Sequence, residues 1–469
     1  MRRKSFAITI IKYCTVILLA AAPLIAQPKK VRDEAKGLIE QGDRAFSQKN
    51  YKEASDKYGQ AIVLIPNNPL AHYQKGFAHF NLHENDQAIS EFNLAQSQGF
   101  KPPLAIYKVR AFIYFEQKNY DATLDDIHKG LELAPNDLAL LKGLGEVHLA
   151  RNAYPQALSA LKKASMVAPN DADIQYNLAR VYSAMGDVKG QQVAAETALA
   201  RGTRFPGETH YLLAEAYQKS GNVAGAISSY QRAISSKPDL YKAYMNLSEI
   251  FRSEGRFNDS ISTLKQGLLA FPNDGNLYTD LGKFYSLADR PADAVQAAKA
   301  GTQILPNQYQ AYTYLCRAYI EVGRSTNDPK NYDLAIGACN TALRLKPDDG
   351  ETYFYLGNAL VSQEKGVEAT RMYTRAVTGL TDLTAKNPSN SDGWYLLGNA
   401  LFADKQFDKA IDAYLKCVNL SPKFMKARVN LGIAYTRKKN RPGAMEQYNI
   451  LLPADSTLAA RLKAEIDRM

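Results

Sequence analysis

Apolar residues recur along this chain at spacings of three and four, and prolines interrupt them at regular intervals. In "SDGWYLLGNALFADKQFDKAIDAYLKCVNLSP", residues 391–422, Trp394, Leu397 and Leu401 mark one face of a first helix. Phe407, Tyr414 and Cys417 face inward from a second helix, which Pro422 ends. Gly398 and Ala410 are small, so the two helices can approach closely there. The stretch from Glu351, "ETYFYLGNALVSQEKGVEATRMYTRAV", aligns with this one, Tyr353 standing where Trp394 stands. Further copies start near Leu38, Leu141, Tyr244, Tyr278 and Tyr312. Pro238, Pro272 and Pro306 are 34 residues apart, as are Pro135 and Pro169, Gly42 and Gly76, and Gly398 and Gly432. A period of 34 predicts an array of helix–turn–helix repeats.

Twelve repeats follow: 35–68, 69–103, 104–137, 138–171, 172–206, 207–240, 241–274, 275–308, 309–349, 350–390, 391–424 and 425–456. One helix pair cannot bury its apolar face alone, whereas stacked pairs make a continuous core. The expected fold is therefore an all-α solenoid. Leu458, Leu462 and Ile466, spaced by four, predict a capping helix over 457–469. Three departures from the period stand out. Repeat five has Gln191 where alanine is expected and Thr203 where proline is expected. Repeat nine carries seven extra residues in "GRSTNDPKNY", which read as a turn-rich loop between its helices. Repeat ten carries seven extra residues after Ala376, where Val377, Leu380 and Leu383 continue the helical spacing. Its second helix is expected to run two turns longer and to kink the array near 384–391, between repeats 35–390 and 391–456.

The pattern closely resembles the tetratricopeptide repeat (TPR) family. Its succession of an aromatic, Leu-Gly, Tyr, Ala and Pro appears as Tyr278, Leu281-Gly282, Tyr285, Ala294 and Pro306. It appears again as Tyr244, Leu247, Phe251, Leu264 and Pro272. The resemblance implies a right-handed superhelix whose first helices line a concave groove that binds proteins or extended peptides. It also implies that the second, fifth, sixth and ninth residues of each repeat point into that groove. Those positions supply Tyr73, Phe77, Tyr176, Asn177, Arg180, Tyr211, Lys242, Asn246, Tyr314, Arg317, Phe354, Tyr355, Tyr395 and Asn399. Aromatic and Arg side chains dominate binding hot spots, although 29 tyrosines will place some there by chance. Some members of the family grip C-terminal carboxylates through Lys and Asn on successive first helices. Asn399 and Asn430 match two positions of that set, but Tyr395 replaces its Lys, so that clamp is absent. The asparagine ladder of other members is partial: Asn177, Asn246 and Asn430 hold the position, and Gly143, Leu212 and Leu396 interrupt it.

The net charge of +11 includes four positive charges and no acid in residues 1–26, leaving +7 for the remainder. That mild excess favours acidic partners or anionic surfaces and gives no reason to expect nucleic acid. Residues 1–26 have a basic head and a 14-residue apolar run from Tyr13 to Ala26, which suits a signal-peptide core better than a membrane span. The mature chain is then expected to begin at Gln27 and to be periplasmic or secreted. An uncleaved N-terminal anchor is the alternative. In repeat twelve Lys423, Lys426, Arg428, Arg437, Lys438, Lys439 and Arg441 occur with no acid over 423–441. Within them Arg437, Lys438, Lys439 and Arg441 form a candidate docking patch for an anionic membrane surface or an acidic partner, against the plainer reading of a solvated turn.

His72, His79 and His83 are seven and four apart, but His72, His79, His148 and His210 replace core aromatics, so packing is expected rather than a metal. Cys316 and Cys339 occupy small inward positions on the two helices of repeat nine. Antiparallel pairing brings these positions together, and an oxidising compartment could join them; two buried thiols are the alternative. Cys417 has no partner in this pattern, and Cys14 lies in the leader. No phosphate loop, HExxH or nucleophile elbow is present, so neither catalysis, a cofactor nor a small-molecule substrate is expected. Two functions remain open. One is a scaffold for assembling envelope or secretion machinery. The other is an accessory chain that presents substrate to a separate transferase or protease.

Overall fold

The computed structural model describes residues 28–469. The signal-like segment, its expected cleavage after Ala26 and Cys14 lie outside the described residues. Those described form twenty-five α-helices and no strand. Twenty-four of them follow one another as twelve two-helix repeats, from Lys29–Ser47 and Tyr51–Leu64 to Met425–Arg437 and Arg441–Leu451. The last helix, Ser456–Asp467, caps the array with Ala459, Leu462 and Ile466 buried. The solenoid and its capping helix are as the sequence leads one to expect. None of the helices described is long and apolar enough to cross a membrane.

Short polar signals set the boundaries. At six junctions proline closes a second helix, and two residues later an Asp or Asn side chain caps the next first helix. Asp137 accepts from Leu140 N–H at 3.1 Å, Asp274 from Leu277 N–H at 3.0 Å and Asp349 from Thr352 N–H at 2.9 Å. Each cap answers backbone donors that the first helical turn leaves unpaired. Between the helices of every pair, one residue adopts a left-handed backbone, from Lys49 (φ 64°) to Lys439 (φ 55°). That geometry ends a helix sharply. His83 is such a residue (φ 61°), beyond the helix Pro69–Asn81, so the three spaced histidines do not share a helical face.

The core repeats one device. A Cβ added to Gly42 would lie 2.5 Å from the Tyr58 ring, one on Gly357 2.6 Å from Tyr373, and one on Gly398 2.5 Å from Tyr414. The periodic glycine is thus the floor on which the second helix seats its aromatic ring. The aromatic at the start of several first helices has a second task. Trp394 donates its indole N–H to Pro388 O at 2.9 Å, and the Tyr244 and Tyr353 hydroxyls donate to Pro238 O and Pro347 O, both at 3.0 Å. His72 Nε2 takes the same place against Pro66 O at 3.0 Å. Trp394 is therefore a tie to the preceding proline turn, and His72 is its polar equivalent.

Repeat five folds despite its departures. Gln191 is buried and donates to Leu212 O at 2.7 Å, while Thr203 Oγ1 donates to Asp173 Oδ1 at 3.0 Å. In repeat nine the extra residues are not the expected loop. Its first helix runs from Tyr309 to Thr326 and its second begins at Lys330. Turn-forming residues yield here to packing: Gly323 lies against the Tyr332 ring, and Ser325 and Thr326 bond back to Val322 O at 3.0 and 2.8 Å. Repeat ten does have the long second helix, Gly366–Lys386, 21 residues against the usual 14. That helix is continuous to Lys386, and the chain turns afterwards through 387–390. The described residues divide into two compact bodies, 28–221 and Asn222–Met469. The division falls in the turn between the helices of repeat six rather than near residue 390.

Candidate binding surface

In the N-terminal body the first-helix face is partly core. Tyr73 does not line a groove: it is 4% exposed, stacks on Phe100 at 4.0 Å and meets Phe77 edge-on at 4.9 Å. Asn177 is likewise buried, accepting from Arg180 at 2.7 Å and donating to Glu146 at 3.5 Å. It cannot offer both of its polar atoms to a partner backbone. Tyr176 is half-buried; its ring stacks on Phe205 at 4.8 Å and the Arg180 guanidinium lies 5.6 Å from its centroid. Tyr211 is half-buried as well. Tyr176, Phe205 and Arg180 form a rigid aromatic–cation surface of the kind that anchors interfaces. Phe205 has no place in the periodic expectation, because it ends the weak repeat five.

In the C-terminal body Lys242 is exposed, and Asn246 donates to Tyr230 OH at 3.0 Å. Asn399 accepts from Tyr414 OH and from Asn430 Nδ2, both at 2.8 Å. The core tyrosine of the second helix thus satisfies the position expected to grip a peptide. Tyr355 is also a correction: it is buried, with its hydroxyl donating to Glu351 at 3.2 Å. Phe354 packs against it with ring centroids 5.5 Å apart, and Tyr395 lies 4.7 Å from Phe424. Arg317 bonds Glu321 at 2.9 Å and lies over Tyr355 at 5.8 Å.

These groups share a crowded polar interior. Burial pushes the Glu351 carboxyl up to about 6, against the opposing pull of Lys283, and pushes Asp280 up to about 6 as well. Burial, then the Glu351 and Asp280 charges, raise the Tyr314 hydroxyl well above its ordinary value. Contacts that skip repeats surround this interior. Arg252 donates to Asp392 at 3.0 Å, Lys283 lies 3.6 Å from the same carboxylate, and Lys423 donates to Glu254 at 2.7 Å. Partners more than a hundred residues apart leave no mark in a periodic pattern, and sequence reasoning did not find them.

The basic turn of repeat twelve is largely paired. Arg437 bonds Glu465 at 3.2 Å, Lys438 bonds Asp408 at 2.9 Å and Arg441 donates to Ile466 O at 3.4 Å, while Lys439 occupies the left-handed turn. Cys316 and Cys339 are joined by a disulfide, with Cα atoms 5.3 Å apart. The Cys417 thiol is buried, which pushes it up to about 12. Among the described residues no cluster of His, Cys, Asp and Glu has metal-holding geometry.

Residues 42–82 match the family described as TPR repeat, and residues 114–174, 149–205, 211–274 and 391–424 match families described as tetratricopeptide repeat. The chain belongs to the tetratricopeptide repeat family. This TPR chain is 31% identical over 111 residues to small glutamine-rich tetratricopeptide repeat-containing protein 2 of Mycosarcoma maydis, covering 24% of this chain and 31% of that protein. It is 27% identical over 112 residues to the Hsp70-Hsp90 organising protein of Plasmodium falciparum, covering 23% and 20%. The chain thus spans less than a third of the length of these curated relatives. Among solved structures, yeast Tom70 aligns over 93% of this chain and 96% of its own at 15% identity, with a TM-score of 0.41. A C-terminal part of a TPR repeat-containing protein from Cytophaga hutchinsonii covers 54% and 98% at 18% identity, with a TM-score of 0.41.

Proposed function

We propose that this TPR array is an exported, non-catalytic scaffold that binds an extended protein segment and assembles envelope or secretion machinery. The observation that carries the binding role is the half-buried stack of Tyr176 on Phe205, with Arg180 over the Tyr176 ring. Such a surface is already ordered, so binding costs little side-chain entropy. Export is supported by the signal-like residues 1–26 and by the Cys316–Cys339 bond, which suits an oxidising compartment. The name of one relative refers to Hsp70 and Hsp90. Chaperone-tail binding is not carried over, because Tyr395 stands in place of the clamp Lys and Asn399 and Asn430 bond one another.

Mild crosslinking in cells followed by purification tests this reading. Envelope proteins should be recovered by the wild-type chain and depleted with the double variant Tyr176→Ala, Arg180→Ala. Recovery of cytosolic proteins alone refutes the exported scaffold. Undiminished capture by a folded double variant moves the binding surface elsewhere.

A further inference from the structure

A regular solenoid places each repeat against its neighbours only. Residues 222–469 break that rule. Arg252 ends the first helix of repeat seven, Tyr241–Ser253, and Lys283 lies on that of repeat eight, Gly275–Leu287. Asp392 opens the first helix of repeat eleven, Ser391–Ala403. Its two carboxylate oxygens take one cation each: Arg252 at 3.0 Å and Lys283 at 3.6 Å. A second set lies at the junction of repeats eleven and twelve. Lys423 donates to Glu254 at 2.7 Å, and Lys426 donates to Leu287 O at 3.2 Å while standing 5.8 Å from the Phe257 ring centre. Repeats seven and eight therefore meet repeats eleven and twelve directly. The two repeats between them are the ones lengthened by seven residues each.

We propose that these residues are an ionic clasp, which holds the C-terminal body as a closed turn and opens when its ion pairs are screened. Ion pairs dominate the clasp, and its rim pair, Lys423 with Glu254, retains 64% and 23% side-chain exposure. Salt screens such pairs, since the Debye length shrinks from about 10 Å at 0.1 M to about 3 Å at 1 M. Burial, with Arg317 and Arg461 nearby, holds the Lys426 ammonium below the usual lysine range. Closure keeps Lys426 in place against that cost. Lys283 and Arg317 act on the Glu351 carboxyl, Glu351 acts on the Tyr314 hydroxyl, and Arg317 and Arg461 act on that of half-buried Tyr395, so both tyrosines sense the polar interior that includes Lys283. The inference stands apart from the binding surface on repeat five, so either can fail alone.

The experiment uses the purified full chain. Zero-length carbodiimide crosslinking at low salt should join the Lys423 peptide to the Glu254 peptide. The link should be lost at 1 M sodium chloride. Hydroxyl-radical labelling of Tyr314 and Tyr395 should rise at high salt, and at low salt in the variant Asp392→Ala, Glu254→Lys. The charge-swapped variant Glu254→Lys, Lys423→Glu should keep the low wild-type labelling. Far-UV ellipticity checks folding; should the opening variant lose helix, the salt comparison on the wild type and the swap still decide. Absence of the crosslink at low salt overturns the clasp. So does tyrosine labelling that salt leaves unchanged.

Discussion

Gly398→Ala puts the repeat architecture to its most direct test. The new methyl would lie 2.5 Å from both Cδ1 and Cε1 of Tyr414, closer than carbon atoms approach one another. Tyr414 cannot yield easily: it is 1% exposed and its hydroxyl is tied to Asn399 at 2.8 Å. Overpacking of this kind costs about 1–3 kcal/mol. Replacing glycine inside a helix returns about 1 kcal/mol. The net expectation is a loss of up to about 2 kcal/mol, since the methyl needs more room than the ring can give. Gly337→Ala is the matched control, for nothing lies within 4 Å of its added Cβ on the helix Lys330–Leu345. There only the helix-propensity gain remains, a stabilisation of about 0.5–1 kcal/mol. Repeat arrays unfold as coupled neighbours rather than in one step. Trp394, the chain's only tryptophan, therefore serves as a local reporter for repeat eleven in urea titrations, with ellipticity following the whole chain. A Gly398→Ala protein whose tryptophan transition falls at or above the wild-type midpoint would refute the glycine-floor account. So would a Gly337→Ala protein less stable than wild type.

Other outcomes follow from single observations. Reducing Cys316–Cys339, which closes a 23-residue separation, should lower stability by about 3 kcal/mol in denaturant titrations. Thiol titration of residues 27–469 under denaturing conditions should rise by two on reduction, while buried Cys417 should react slowly in the native chain, its thiol being pushed up to about 12. Glu351 is raised to about 6 in the folded state, so the folded chain holds its proton more tightly than the unfolded chain, and stability falls as pH rises from about 4.5 through 6. Glu351→Gln should therefore raise stability at pH 7, by about 1 kcal/mol once solvent screening is allowed for, and leave it little changed near pH 4.5. Equal effects at both pH values would assign the change to packing instead.

The fold was legible because its determinants are local and repeated. A proline, an Asp or Asn cap, a glycine floor and an aromatic ring each act within one repeat or across one junction, so their recurrence from repeat to repeat reinforces the signal. Repeat ten followed from the same logic, since Val377, Leu380 and Leu383 continued an apolar face. Repeat nine did not, because Gly323, Ser325 and Asn327 are poor helix formers judged alone. Packing of Tyr332 onto Gly323 outweighs propensities worth a few tenths to about 1 kcal/mol each.

The binding surface was legible only as a set of positions, and the reason lies in what those positions touch. Counting places Tyr73, Asn177, Tyr355 and Asn399 on first helices, but it cannot show which of them the second helices have already claimed. Tyr414 takes Asn399, and Phe100 covers Tyr73. Phe205 runs the opposite way: a residue at an irregular junction, ignored by the period, completes the Tyr176 stack. Asp392 is the extreme case, because its partners Arg252 and Lys283 lie over a hundred residues upstream and meet it only once the path of the intervening repeats is set. Periodicity therefore identifies where a repeat can present side chains, and the departures from it decide which side chains remain to be presented.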